Sequence, residues 1–242
     1  AVGLYKKRFK INFKHMNIQW LKFGILFVVG LINLTIGIII FTKYGGKDKS
    51  TKYFGLLCIS ALLWSINIGL ISVIKNNNIY KILGNLTYTT GTLILVNFFM
   101  FSIYFLYKTK NKALVQFKIL LTTISILTLY ILFSNTMISK IYTESNQISY
   151  EPNRVLHLIY GILFLIILLY TYYILIKKYI NAQGINKKRI SIVIFGTVVS
   201  FILGFYFDWY LIHINVFQFF WLGPIFTTIM NFSIAYLLFK KD

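Results

Sequence analysis

Long apolar stretches, unbroken by Asp, Glu, Lys or Arg, dominate the pattern along the chain. Seven of them reach 18 residues or more: Phe23–Phe41, Tyr53–Ile74, Ile82–Tyr107, Ile119–Ser139, Val155–Ile176, Ile190–Phe207 and Val216–Phe239. A bilayer crossing needs about 20 apolar residues, because the hydrocarbon is about 30 Å thick and a helix rises about 1.5 Å per residue. Lipid offers the backbone no hydrogen-bond partner, so each stretch is predicted to be a helix. The alternation of a membrane barrel strand is absent, and the short connections leave no room for a soluble domain. The pattern predicts an all-α, polytopic membrane protein, with a seven-helix bundle over residues 16–242 behind a basic tail at residues 1–15.

The polar positions between the stretches predict an orientation. Fifteen of the 25 basic residues lie after spans one, three and five and at the C-terminus, Lys177 and Lys178 among them. The alternate loops hold four, together with Glu144, Glu151 and Asp208, three of the five acids. Short loops rich in Lys and Arg stay cytoplasmic, so the N-terminus is expected outside and the C-terminus inside. The tail, with Lys6, Lys7, Arg8, Lys10, Lys14 and Lys22, pulls the other way. It reads either as sequence upstream of a natural start at Met16 or as a basic surface helix.

Composition sharpens this picture. The chain is 58% hydrophobic and 12% charged, with a net charge of +20, whereas soluble domains are nearer ~25% charged. In a soluble protein such a charge points to nucleic acid. Sorted by loop, it instead records orientation and contact with anionic lipid headgroups, so no nucleic acid partner is expected.

Five acids leave little material for catalysis, and the single Cys58 excludes an internal disulfide or a cysteine-ligated zinc site. No His-Glu-x-x-His helix or phosphate-binding glycine loop occurs. No enzyme activity, cofactor or metal is expected. The span cores carry no charged residue, and Asp208, ~28 Å beyond Arg189 at helical rise, is placed at the outer interface.

The remaining polar and aromatic residues divide into two groups. Asn33, Asn67, Asn97 and Asn231 fall inside spans, where they serve either as interhelical glue or as a relay. Trp64, ~16 Å along its helix from Tyr53, sits near the midplane, away from the interfacial belts that tryptophan prefers. It either fills a core gap or joins the relay, as does the kink expected at Gly223-Pro224. At the outer face, Arg154, His157, Asp208, Trp209, His213 and Trp221 combine charge with aromatic rings. That combination suits a small ligand, against the alternative of an aromatic belt with ordinary loop charges.

Several segments together resemble a known family. They are Asn33-Leu-Thr-Ile-Gly-Ile-Ile-Ile-Phe, Phe54-Gly-Leu-Leu with Trp64, Leu86-Thr-Tyr-Thr-Thr-Gly, Phe98-Phe-Met-Phe, Leu222-Gly-Pro-Ile-Phe, and Ala235-Tyr236. In order and spacing they are similar to the N-terminal seven-helix sensor region of bacterial and archaeal histidine kinases. The resemblance covers nearly all of residues 18–242. It implies a multi-pass sensor in the plasma membrane, part of a two-component system, that passes a stimulus through its last helix to a cytoplasmic kinase or other output partner. The family's topology agrees with the charge count, and the resemblance carries over no binding residue.

The leading expectation is therefore a receptor-like sensor for an unknown small ligand or membrane state. The runner-up is a transporter or permease-like subunit, which needs a water-accessible midplane site and paired broken helices. A structural or assembly subunit is a third reading.

Overall fold

The computed structural model describes residues 2–44, 48–106, 121–144 apart from 129, 132, 133 and 135, 147–214 and 216–239. Helix α1 spans Val2–Tyr44, α2 Lys49–Val73 and α3 Asn77–Tyr104. A helical stretch over 121–128, α4, precedes two strands, β1 (Ile138–Glu144) and β2 (Gln147–Pro152). Helix α5 spans Arg154–Asn181, α6 Gly184–His213 and α7 Gly223–Phe239.

Among the described residues, six helices are long and apolar enough to cross a membrane. Each contains or closely overlaps one of the apolar runs. The fourth run, Ile119–Ser139, falls partly outside the described residues; its helical part is α4, and its last two residues open β1.

The helices start where local chemistry satisfies their first amides. Asp48 accepts from the Ser50 amide, Asn76 from those of Asn78 and Ile79, and Asn153 from that of Leu156. Each is a short polar side chain capping donors that have no partner inside the helix.

The packing follows chain order. Helix α1 lies along α2, α2 along α3, α3 along α5, α5 along α6 and α6 along α7, and α7 returns to α1 and α2. On α1, Leu26, Val29, Asn33, Ile36 and Ile40 are buried, a spacing of three and four that puts them on one face. Leu169, Phe195 and Ile202 are each more than 60% exposed. An apolar exterior of this kind suits lipid and not water.

Asn231 donates to Asn33 Oδ1 at 2.8 Å, joining α7 to α1. Asn67 reaches the Leu83 carbonyl and Thr87 Oγ1, both at 2.8 Å. Asn97 donates to Ser60 Oγ at 3.1 Å. The four span asparagines therefore sit at helix contacts, the positions of the glue alternative.

Three features depart from the apolar-run pattern. The antiparallel pairing of β1 with β2, in which Ile141 faces Tyr150, adds a hairpin to the helical bundle. Tyr150 packs against Tyr80 of α3 at 6.0 Å and Phe217 at 5.1 Å between ring centroids, which seats the hairpin over one end of the bundle.

The last span is not one helix from Val216. A 3₁₀ turn at Phe220–Leu222 leads into α7 at Gly223, so Pro224 lies in the first turn and starts the helix instead of kinking it. Proline is tolerated there because an amide at that position has no intrahelical acceptor.

Lys178, counted by sequence as a loop cation, is buried. Its ammonium donates to the carbonyls of Ser102, Ile103 and Phe105 at 2.9, 2.7 and 2.9 Å. A cation from α5 thereby satisfies the last carbonyls of α3, where the helix dipole is negative.

Candidate functional site

Helix α6 changes pitch near the hairpin end. Residues Tyr206–Tyr210 form a π turn, closed by the Leu211 amide bonding to the Tyr206 carbonyl. The wider turn shifts the register of the side chains that follow. It carries Asp208, so the assignment of this acid to a loop is corrected: it lies within α6. The residue keeps some exposure, but both carboxylate oxygens are buried and have no hydrogen-bond partner among the described residues. The carboxylate rests against Gly223, where even a methyl group would overlap it. Near the end of its span, Asp208 thus turns a buried carboxylate inward and not towards a loop.

Beside it lies a hydrogen-bonded cluster. His157 is fully buried, with Nε2 3.2 Å from the Trp209 carbonyl and Nδ1 3.0 Å from the Tyr88 hydroxyl. A carbonyl only accepts, so Nε2 carries the proton. In the neutral ring Nδ1 then accepts from Tyr88. Tyr160 donates to the Tyr88 carbonyl at 3.1 Å, and the Trp209 indole donates to the His157 carbonyl at 3.1 Å.

The rings of His157, Trp209 and His213 lie within 9° of parallel, with centroids 5.4 to 5.7 Å apart. Gly161 makes the arrangement possible, since a Cβ there would run into the Trp209 indole.

These elements enclose a cavity of ≈ 90 Å³. It is lined by Trp64 of α2, Thr87, Tyr88 and Gly91 of α3, Tyr150 of the hairpin, Tyr160 of α5, Ser200, Phe201, Asp208 and Trp209 of α6, and Gly223, Thr227 and Met230 of α7, among others. About one probe sphere, roughly 10–15 Å³ by this measure, suffices for a water molecule, so the space holds several waters or a small ligand. The walls are mainly aromatic. Ser200 spends its hydroxyl on the Phe226 carbonyl at 2.6 Å, and Thr227 spends its own on the Pro224 carbonyl at 2.6 Å.

Among the lining residues the unsatisfied groups are therefore the two Asp208 oxygens and the buried Trp64 Nε1, a donor without an acceptor among the described residues; in the adjoining ring stack His213 Nδ1 also has no partner there. Outside the spans, burial pushes the Tyr150 phenol well above its ordinary pKa. The neighbouring Tyr88 hydroxyl and Asp208 carboxylate push the same way.

A family model of the N-terminal 7TM region of histidine kinase matches residues 25–242. The chain belongs to this family. No curated protein matches it. As a histidine kinase 7TM region it is a multi-pass membrane protein of signal transduction, associated with a kinase output. The family describes the membrane region of such kinases, not their catalytic domain.

Within this 7TM region the structure brings together residues that sequence placed in separate groups. His157, Asp208, Trp209 and His213, grouped as ligand contacts, meet Trp64 and Gly223, grouped as relay, around or beside one cavity. Arg154 and Trp221 do not line it: Arg154 is exposed, and Trp221 is half-buried beneath the Lys22 ammonium at 5.6 Å.

Sequence reasoning missed Tyr88, Tyr150 and Tyr160. One signal was present, since Trp64, Thr87, Tyr88, Gly91 and Gly223 all come from the segments that carry the family resemblance.

Proposed function

We propose that this 7TM region senses an external or membrane-borne signal at the Asp208 cavity and relays it through α7 to a cytoplasmic histidine kinase. The hairpin end faces outward in this reading, as the positive-inside rule predicts. One observation carries it: the buried carboxylate of α6 touches Gly223, the first residue of α7. Whatever neutralises or moves Asp208 acts directly on the start of the helix that leads to the output.

A ligand shifts the bundle between two arrangements only by as much as it prefers one of them. A group contacting both α6 and α7 has the means to prefer one relative placement. Ser200 bonding the Phe226 carbonyl supplies a second α6–α7 tie that differs between such placements. A permease is less well supported, because the far half of the bundle is filled by the fully buried rings of Phe54, Phe98, Phe99 and Phe101.

The test places this region before a histidine kinase catalytic portion in membrane vesicles and measures autophosphorylation. Gly223→Leu fills the cavity and displaces Asp208. It is expected to change the basal rate several-fold in either direction, with membrane insertion unaltered. Wild-type rates in both Gly223→Leu and Trp64→Ala would refute the input-site reading.

A further inference from the structure

Two residues that line the same cavity hold buried groups of opposite hydrogen-bonding character without partners among the described residues. The Asp208 carboxyl accepts, and carries a charge when ionised, whereas the Trp64 indole N–H donates. A carboxylate withdrawn from water without a counter-charge is costly, and a buried acid persists where something positive, or a proton, accompanies it.

The described residues supply no such charge at the cavity: apart from Asp208, its lining is aromatic, aliphatic or neutral polar. An inorganic metal ion is disfavoured, because no three His, Cys, Asp or Glu side chains among the described residues come together to hold one. Aromatic faces, by contrast, attract organic cations, most strongly where water is scarce. Tyr88, Tyr150, Tyr160, Phe201 and Trp209 supply such rings around the acid.

We propose that the cavity binds a small organic cation, with Asp208 as its counter-ion, the aromatic rings as its walls and the Trp64 indole as donor to an oxygen of the same ligand. Amino alcohols and quaternary ammonium alcohols have this chemistry. The site deepens the input-site proposal and rests on it for its role in signalling. Occupancy replaces the contact between Asp208 and the start of α7 with a charge pair, which makes the cation an effector of α7 and not a passive filler.

The test uses the 242-residue chain in lipid nanodiscs and isothermal calorimetry with three probes. Choline carries both the charge and the oxygen, 3,3-dimethylbutan-1-ol is its neutral isostere, and tetramethylammonium has the charge alone. Choline is expected to bind saturably and at least tenfold more tightly than the neutral isostere. Asp208→Asn, nearly identical in shape, is expected to abolish that preference. Trp64→Phe is expected to weaken choline several-fold and leave tetramethylammonium unchanged.

Equal binding of choline and its isostere, retention of the preference in an Asp208→Asn variant that still unfolds cooperatively, or no saturable heat from either cation overturns the proposal. If neither cation binds but Gly223→Leu still alters kinase output, the ligand class falls and the sensor reading stands. If choline binds with the stated preference while Gly223→Leu leaves output at the wild-type rate, the cation site stands and the sensor reading falls.

Discussion

Asp208 is expensive where it sits. Two buried carboxylate oxygens without partners among the described residues forgo hydrogen bonds that are worth about 1–3 kcal/mol of desolvation penalty when left unmade, and more for a charge. Asp208→Asn keeps the shape and removes the charge, so the ligand-free variant is expected to unfold at a higher temperature than wild type in detergent. An unchanged or lower midpoint counts against an uncompensated acid. Tyr150 makes a second prediction at this scale. Its phenol is held neutral by burial, so its ionisation in the folded state lies above the ordinary value of about 10. The associated stability is present below pH ~10 and is lost as pH rises towards the folded-state value, by up to about 1.4 kcal/mol per pH unit. Chemical unfolding between pH 8 and 11 should show a shallower alkaline loss in Tyr150→Phe than in wild type.

Among the elements, α3 is held differently at its two ends. Near its start, Asn67 of α2 bonds to the Leu83 carbonyl and to Thr87, neutral contacts of a kind averaging ~0.6 kcal/mol inside a membrane bundle. At its other end the Lys178 ammonium holds three carbonyls, and bonds to charged groups are worth about 1.5–3 kcal/mol. Lys178→Met is therefore expected to destabilise the bundle by about 2 kcal/mol or more, and Asn67→Leu by under 1 kcal/mol. Unfolding of the two purified variants in mixed micelles checks the ranking; equal losses would mean that Lys178 acts only as a packing side chain. The helices themselves were legible because an apolar run of 18 residues leaves the backbone one way to bond in lipid. The hairpin was not, since β1 begins inside the fourth apolar run, where Ile and Met suit either a strand or a span end. The π turn leaves no compositional mark, and Lys178 looked like any loop cation because its acceptors belong to a helix 73 or more residues away.

For the whole molecule, the alternating basic loops predict that the hairpin end is external and the end at Phe239 cytoplasmic. A C-terminal fusion is expected to be fluorescent with green fluorescent protein and inactive with alkaline phosphatase. An active phosphatase fusion would invert the bundle and move the Asp208 cavity to the cytoplasmic side. The cavity is lined from Tyr150 of the hairpin to Trp64, Ile94 and Met230 in the middle of their helices, and Phe54, Phe98, Phe99 and Phe101 are fully buried in the core. Helix α7 is tied to α1 by Asn231 and Asn33, and the Lys22 and Lys43 ammonium groups lie over Trp221, just before α7, and Phe239, at its end, at 5.6 and 5.2 Å. Movement of α7 would therefore carry α1 with it.

Sequence by itself determined the membrane environment, the helical secondary structure of the long apolar runs and the family. The first two follow from composition and run length, which act locally and need no knowledge of neighbours; the family follows from the order and spacing of particular segments. It also singled out Trp64, His157, Asp208, Trp209 and His213, which lie around or beside one cavity, because a polar or bulky aromatic group in lipid is conspicuous wherever it points, but not Tyr88 or Tyr160. Tertiary structure alone decided which of them face one another. The π turn sets the direction of Asp208, the absence of a side chain at Gly223 lets the carboxylate reach α7, and the hairpin carries Tyr150 over the end of the bundle. Each depends on the angular register of one element against another, a quantity that hydropathy along the chain does not encode.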